Sequence, residues 1–273
     1  MQLHLVEMIK AKKSGAGHKM YKVCRRVLQA PIVKEDTYCL EVVGKELRGE
    51  GEVNAQGQRE GRGTMVWADG DMHEGQWRAG LPHGQCKWTG ATGDVYEGEW
   101  VEDKKQGYGK YSFSVGNVYE GEWVAGEKHG RGKFTIAGGD SYEGEWAEGK
   151  WHGKGTYTFA DGTEFKVYQG EFLHGKRHGR GKITYTNGNS HDGEYAEDKE
   201  HGHGTFTFAD GKVQIGYYEP GEPYVGHGVH VGQGVRWSAD RREAWEVQDG
   251  KEVRGIPLDE AAKMAERIGL PPP

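Results

Sequence analysis

Through most of its length the chain alternates apolar and polar positions in steps of two, interrupted at regular intervals by glycine-bearing turns. In Tyr119-Glu120-Gly121-Glu122-Trp123, the residues Tyr119, Gly121 and Trp123 fall on one face, and Glu120 and Glu122 on the other. Seven residues after Trp123 a second run begins, Gly130-Arg131-Gly132-Lys133-Phe134-Thr135-Ile136. There Gly130, Gly132, Phe134 and Ile136 share a face, and Arg131, Lys133 and Thr135 share the opposite one. Period-two alternation marks strands with one buried face. Gly126 and the pair Gly138-Gly139 supply turn chemistry, a place taken elsewhere by Ala-Asp-Gly at 68–70, 160–162 and 209–211. Each unit predicts a β-hairpin.

The unit recurs. Tyr-Glu-Gly-Glu-Trp stands at 96–100, 119–123 and 142–146, a step of 23 residues. Weaker copies start at His73, Tyr168, His191 and, faintest, Gln214, all in 23-residue steps except Tyr142 to Tyr168, which is 26. An eroded unit lies near Gly49–Asp69. A fixed period of this size signals a repeat array whose units bury their apolar faces against neighbours. The predicted fold is all-β: an elongated single-layer antiparallel meander of about seven to eight 23-residue β-hairpin repeats. Two strands per unit at a spacing of roughly 4.8 Å give about 9.6 Å per repeat.

Glycine inside a strand costs roughly 0.5–1 kcal/mol relative to alanine, yet here it falls in phase with the rings. A missing side chain leaves room for a neighbouring Tyr or Trp to lie across the backbone, and burying such a ring returns about 1.5–3 kcal/mol. Cys86 takes the place of one of these glycines, which predicts a looser contact there. The opposite face, with Glu from first strands and Lys, Arg or Thr from second strands, reads as a solvated surface. The nine residues Trp77, Tyr96, Trp100, Tyr119, Trp123, Tyr142, Trp146, Tyr168 and Phe172 are expected to line a groove for an extended or helical protein partner.

The string Tyr-Glu-Gly-Glu-Trp, a gap, then Lys-x-His-Gly-x-Gly-x-Tyr/Phe-x-Phe/Ile and a turn resembles the membrane occupation and recognition nexus (MORN) repeat over about residues 50–235. The resemblance implies a single-layered, elongated, twisted β-meander with an aromatic groove. It also implies a scaffolding or targeting role, often in cytoskeletal and ciliary (axonemal) assemblies. Some relatives carry such repeats beside a lipid kinase or methyltransferase domain.

Composition agrees with a thin sheet: only 34% of the 273 residues are hydrophobic. Mean hydropathy is −0.87. Three cysteines, Cys24, Cys39 and Cys86, without CxxC spacing, predict neither a zinc site nor a disulfide framework and favour a cytoplasmic address. No apolar run is long enough to span a membrane, and the start MQLHLVEMIKAKK lacks the stretch of a signal peptide. Lys10, Lys12, Lys13, Lys19, Lys22, Arg25 and Arg26 give residues 1–30 a net charge of +6 against −6 for the whole chain. That arm is expected to contact an anionic partner, an acidic protein or an anionic lipid surface. Nucleic acid is not expected.

Residues 1–48 therefore read as a basic segment and edge cap, 49–235 as the array, and 236–273 as closing strands with a short C-terminal α-helix. Tyr21–Leu28 and Thr37–Val43 look strand-like and would cap the first edge, while Pro220 and Pro223 break the period. Gly234–Trp237 and Glu243–Val247 suggest a closing strand pair. Leu258, Ala261, Ala262, Ala265 and Ile268 follow helical spacing, and the helix is expected to close the groove.

No chemistry-bearing motif stands out. His83, His129, His152, His178 and His201 repeat at one turn position before Gly, roughly 9.6 Å apart, too far for shared zinc ligation. Gly153-Lys154-Gly155-Thr156 lacks P-loop spacing, and about 49 residues before the array and about 38 after it are short for a catalytic domain. No metal, cofactor or catalytic residue is expected, so the chain reads as a non-enzymatic scaffold. Its alternatives are a phospholipid-surface adaptor or a targeting subunit of a separate enzyme. Pairing of two copies through the groove is left open.

Overall fold

A computed structural model describes residues 46–219 and 229–273. The chain divides after Asp103 into two compact units, a division that falls inside the expected array. In the first lie β1 (Glu46–Val53), β2 (Arg59–Trp67), β3 (Met72–Arg78), β4 (Leu81–Thr89) and β5 (Val95–Val101). The second begins with β6 (Lys104–Ser112), β7 (Val118–Val124), β8 (Glu127–Thr135), β9 (Ser141–Ala147), β10 (Lys150–Thr158) and β11 (Phe165–Leu173). It continues with β12 (Lys176–Tyr185), β13 (Ser190–Ala196), β14 (Lys199–Thr207), β15 (Val213–Glu219) and β16 (Val229–Trp237). It closes with β17 (Ala244–Gln248), β18 (Lys251–Ile256) and helix α1 (Leu258–Arg267).

Within each unit every strand pairs antiparallel with the next one in sequence. This is the all-β hairpin meander that the alternation predicts. The eroded unit near Gly49–Asp69 is the hairpin of β1 and β2, and the faint copy at Gln214 lies in β15. The strand-like Tyr21–Leu28 and Thr37–Val43, Pro220, Pro223, Cys24 and Cys39 lie outside the described residues.

The hairpins β3–β4, β7–β8, β9–β10, β11–β12, β13–β14 and β17–β18 turn on two residues in the left-handed region, whereas β1–β2 turns through the longer Asn54–Gln58 loop with Gly57 alone at positive φ. Ala125 and Gly126 have φ of 52° and 94°, the type I′ geometry whose twist matches that of the flanking strands. The second strand therefore starts at Glu127, three residues before the expected run. The repeated histidines are not turn residues. Gly121 pairs with Gly132, but Glu122 pairs with His129, so a β-bulge is inserted between them, centred on Gly130 at φ 56°.

The bulge gives the second Glu of the motif a structural task. Glu122 Oε1 accepts the N–H of Arg131 at 2.9 Å, and Glu145 Oε1 that of Lys154 at 3.2 Å. Gln76 does the same for Gln85 at 3.1 Å. These side chains reach back over the bulge glycine, so this position is not merely solvated.

A second set of bonds fixes the step between units. Asn117 Oδ1 accepts the N–H of Ala137, Asp140 Oδ1 that of Ala160, and Asn189 Oδ1 that of Ala209, at 2.8–2.9 Å. At the 26-residue step the carbonyl of Glu164 accepts the N–H of Thr186 at 2.9 Å instead. The three added residues lengthen β11 and form a bulge between Phe165 and Val167.

The end of the chain departs from expectation in two ways. The expected closing pair is β16 with β17, but β18 extends the meander. Only Ile256 of β18 is buried, so no alternation announced that strand. Helix α1 does form, with Asp259 and Glu260 in its first turn and Arg267 in its last, favourable for the helix dipole. It does not close the aromatic face. Ala261, Met264 and Ala265 pack with Val213, Ile215, Val235, Trp237, Ala244 and Ile256. Ile215 stands where the motif has its first Glu, and its cross-strand neighbour is Val235. The helix therefore covers the face that is charged in the earlier repeats, because in these last strands that face has become apolar.

Candidate functional site

The aromatic face is built in two layers. Below lie the rings of the first strands. Tyr96, Tyr119, Tyr142 and Tyr168 are 0% exposed, and Trp77, Trp100, Trp123, Trp146 and Phe172 are 3–6% exposed. Tyr119, Tyr142 and Tyr168 each lie across the backbone of the facing glycines: a Cβ on Gly132 would meet Tyr119 Oη at 2.4 Å. The hydroxyls are satisfied locally, Tyr119 Oη donating to Glu122 O at 2.9 Å and Tyr142 Oη to Glu145 O at 2.8 Å. Trp77, Trp123 and Trp146 donate Nε1 to the carbonyls of Gly63, Gly109 and Gly132 at 2.9–3.2 Å. Edge-to-face contacts then link neighbouring units, as between Tyr119 and Trp146 at 5.0 Å.

The nine expected groove residues are therefore the packing layer itself and do not line an open groove. Above them in the second unit lies a half-buried row: Tyr111, Phe134, Trp151 and Tyr157 on second strands, Phe113 and Phe159 just beyond the ends of two of them, and Phe165 at the insertion. They touch in series, with Tyr111 and Phe113 at 4.4 Å, Trp151 and Tyr157 at 5.3 Å, and Tyr157 and Phe159 at 4.7 Å. Phe165 bridges Phe159 at 5.2 Å to Tyr185 at 5.6 Å. Burial, and then the nearby carboxylate of Asp140, push the Tyr157 hydroxyl up to about 12.

Between these rings stand cations two positions before a bulge glycine: Lys128 and Arg177, each preceding a repeated His, and Lys105, preceding Gln106. Lys105 Nζ lies 4.6 Å from the Tyr111 ring and Arg177 Cζ 5.5 Å from the Tyr195 ring. Lys128 Nζ lies 4.5 Å from Phe134 and 5.0 Å from Trp146. Burial, reinforced by the Lys105 charge, lowers the pKa of Lys128. Sequence reasoning had placed none of these at a site. The available signal was the recurrence of a long side chain two positions before the bulge glycine.

The opposite face holds a trough of about 850 Å³ lined by Glu120, Arg131, Lys133, Glu143, Lys154 and Glu171 among others. Register places Lys110, Glu120, Lys133 and Glu143 in one row of alternating sign. Lys133 and Glu143 approach to 3.5 Å and Lys87 and Glu97 to 2.8 Å. Both pairs are exposed and worth about 0–1 kcal/mol each.

Two departures from the motif are buried. Cys86, 5% exposed, sends Sγ toward Gln76 O at 3.1 Å. The ring at the Tyr position of the same hairpin is His73, which packs edge-on against Trp77 and Trp100. His191 also stands at the Tyr position, 0% exposed, with Nδ1 3.1 Å from Tyr195 Oη and 3.6 Å from Glu200 Oε1. Tyr185 Oη donates to that same Glu200 oxygen at 2.8 Å. Burial pushes the imidazole pKa down, although Glu200 and Asp192 pull it up.

Among the described residues no cluster of three or more His, Cys, Asp or Glu could hold a metal ion, and no helix is long and apolar enough to cross a membrane. The basic residues Lys10, Lys12, Lys13, Lys19, Lys22, Arg25 and Arg26 lie outside the described residues.

No curated protein matches the chain. Among solved structures, the wild-type TCP10 domain of Danio rerio CPAP is similar over 77% of this chain and 95% of that one, at 11% identity and a TM-score of 0.42. The SAS-4 (dCPAP) TCP domain of Drosophila melanogaster, solved in complex with a proline rich motif of Ana2 (dSTIL), covers 68% of this chain and 94% of its own, at 11% identity and a TM-score of 0.36. Both likenesses are too loose to carry a conclusion over. The family model is decisive: the MORN repeat matches residues 55–72, 73–95, 96–118, 119–141, 142–164, 168–190 and 191–213, more than half of the chain. The chain belongs to the MORN-repeat family.

Proposed function

We propose that this chain is a non-enzymatic scaffold that holds an extended or helical segment of a protein partner along the half-buried rings of its aromatic face. The observation that carries the reading is the series Tyr111, Phe113, Phe134, Trp151, Tyr157, Phe159 and Phe165, half-exposed on a face whose deeper rings are already packed. Aromatic side chains bury much area with few rotors, which suits them to anchor a partner. A monomer whose packing needs are met by the first-strand rings gains little by keeping a second row in contact with water.

Affinity purification with the full chain tests the reading. Partners should be retained by the native chain and by Tyr108→Ala, on the opposite face, and lost with Trp151→Ala and Tyr157→Ala together. Equal retention by all variants would remove the aromatic face from consideration. The proposal extends to a cytoskeletal or ciliary assembly on family resemblance. The basic residues of segment 1–30 are proposed to add an anionic contact, which liposome co-sedimentation with and without that segment would measure.

A further inference from the structure

The half-buried ring layer contains one ammonium with no counter-charge. Lys128 Nζ is surrounded by π faces: Phe134 at 4.5 Å, Trp146 at 5.0 Å, Tyr119 at 5.1 Å and Phe113 at 5.4 Å. Among the described residues no carboxylate comes within ion-pair range and no acceptor bonds this ammonium. Lysines on the other face are placed differently. Lys133 sits across the strands from both Glu120 and Glu143 and forms an ion pair with Glu143 at 3.5 Å. In a chain of net charge −6, an unpaired half-buried cation is the exception. Ring quadrupoles compensate its charge in part, but its three N–H donors are unspent.

Spacing adds a second constraint. Second strands recur every two strand separations, about 9.6 Å. A polyproline II chain repeats every three residues, about 9.3 Å, so over three repeats it drifts from the ring columns by only about 1 Å. A helix presenting the same face every seven residues advances about 10.5 Å, and over the same distance slips by nearly 3 Å.

Resting on the scaffold reading above, we propose that the ring layer binds a proline-containing extended segment of a protein partner, and that an Asp or Glu of this segment docks on the Lys128 ammonium. Prolines and apolar side chains lie over Tyr111, Phe113, Phe134 and Trp151. The carboxylate takes the unspent donors in a site partly screened from water, where charge-assisted hydrogen bonds are strong. Lys105 and Arg177 on the same face repel a basic segment.

Fluorescence anisotropy with the full chain and four labelled peptides tests this. The probes are (Pro-Pro-Glu)₄, (Pro-Pro-Gln)₄, (Pro-Pro-Lys)₄ and an alanine-rich helical peptide carrying Glu at seven-residue intervals. The Glu peptide should bind at least tenfold more tightly than the Gln peptide, and the Lys peptide should not bind. Lys128→Met should bring the Glu and Gln peptides to equal affinity, and Lys128→Glu should transfer the preference to the Lys peptide. Circular dichroism on both variants establishes that the sheet is intact. Equal binding of Glu and Gln peptides, a preference that survives Lys128→Met, or tighter binding of the helical peptide would overturn the inference and leave the scaffold reading standing. Binding of none of the four would count against both.

Discussion

At the residue scale, the fold rests on glycines that hold space for rings and on carboxylates that hold bulges. A methyl group on Gly132 would meet Tyr119 Oη at 2.4 Å and ring carbons at 2.7 Å. Gly132→Ala should therefore destabilise the chain by about 2–3 kcal/mol, as overpacking does, read as a lower urea midpoint. Glu145 caps its bulge through the Lys154 N–H. Glu145→Ala should cost about 1 kcal/mol and speed hydrogen exchange at Lys154. Glu145→Gln should be nearly neutral, because Gln76 makes the same bond in an earlier unit. His191 brings pH dependence. Burial lowers its pKa in the folded chain, so the unfolded chain, titrating near 6.5, binds the proton more readily. Stability from this group is present above about pH 6.5 and falls as the solution is acidified through that value. His191→Tyr restores the repeat's own ring and should narrow the gap between urea midpoints at pH 7.5 and 5.5; an unchanged gap would show that the proton goes elsewhere.

At the element scale, the hairpin has two ends with different tasks. The type I′ turn at Ala125-Gly126 fixes the pairing of β7 with β8, while the Asn or Asp after the longer loop binds the next loop through Ala137, Ala160 or Ala209. Turn chemistry thus sets the shape of one hairpin and side-chain amides or carboxylates set the step to the next. Helix α1 belongs to the same level. Its Met264 is 8% exposed in the cluster formed with Ile215, Val235 and Trp237. Met264→Asp should cost several kcal/mol by burying an unpaired charge, and it should expose β15 and β16 to early hydrogen exchange while β7 to β10 keep their protection.

At the scale of the whole molecule, each unit is built from contacts between strands that are neighbours in sequence, as in a one-dimensional array. Removing residues 119–141 joins Val118 to Tyr142, so β6 meets another Tyr-Glu-Gly-Glu-Trp strand in the same register. That variant should keep its β-sheet circular dichroism and unfold cooperatively. Removing only 119–130 deletes one strand and reverses the direction of all that follow; it should aggregate or lose the spectrum. Similar behaviour of the two deletions would mean that the array is not built from independent hairpins.

The sequence alone determined the hairpin, its period and which face carries rings, because a strand's side-chain period is two and any shift would move every ring to the wrong side. Helix α1 was legible for the same reason, from its 3.6-residue spacing. Tertiary structure decided what those patterns do. Tyr119 and Trp123 looked like a binding surface, yet neighbouring units bury them, since accessibility depends on what lies across the next strand. Phe134 and Lys128 emerged as the outer layer because the bulge at Gly130 lifts that strand's register, and a bulge is written in a φ angle rather than in residue type. The side on which α1 lies likewise depended on Ile215 facing Val235, a pairing between residues 20 apart in sequence that only the folded register brings together.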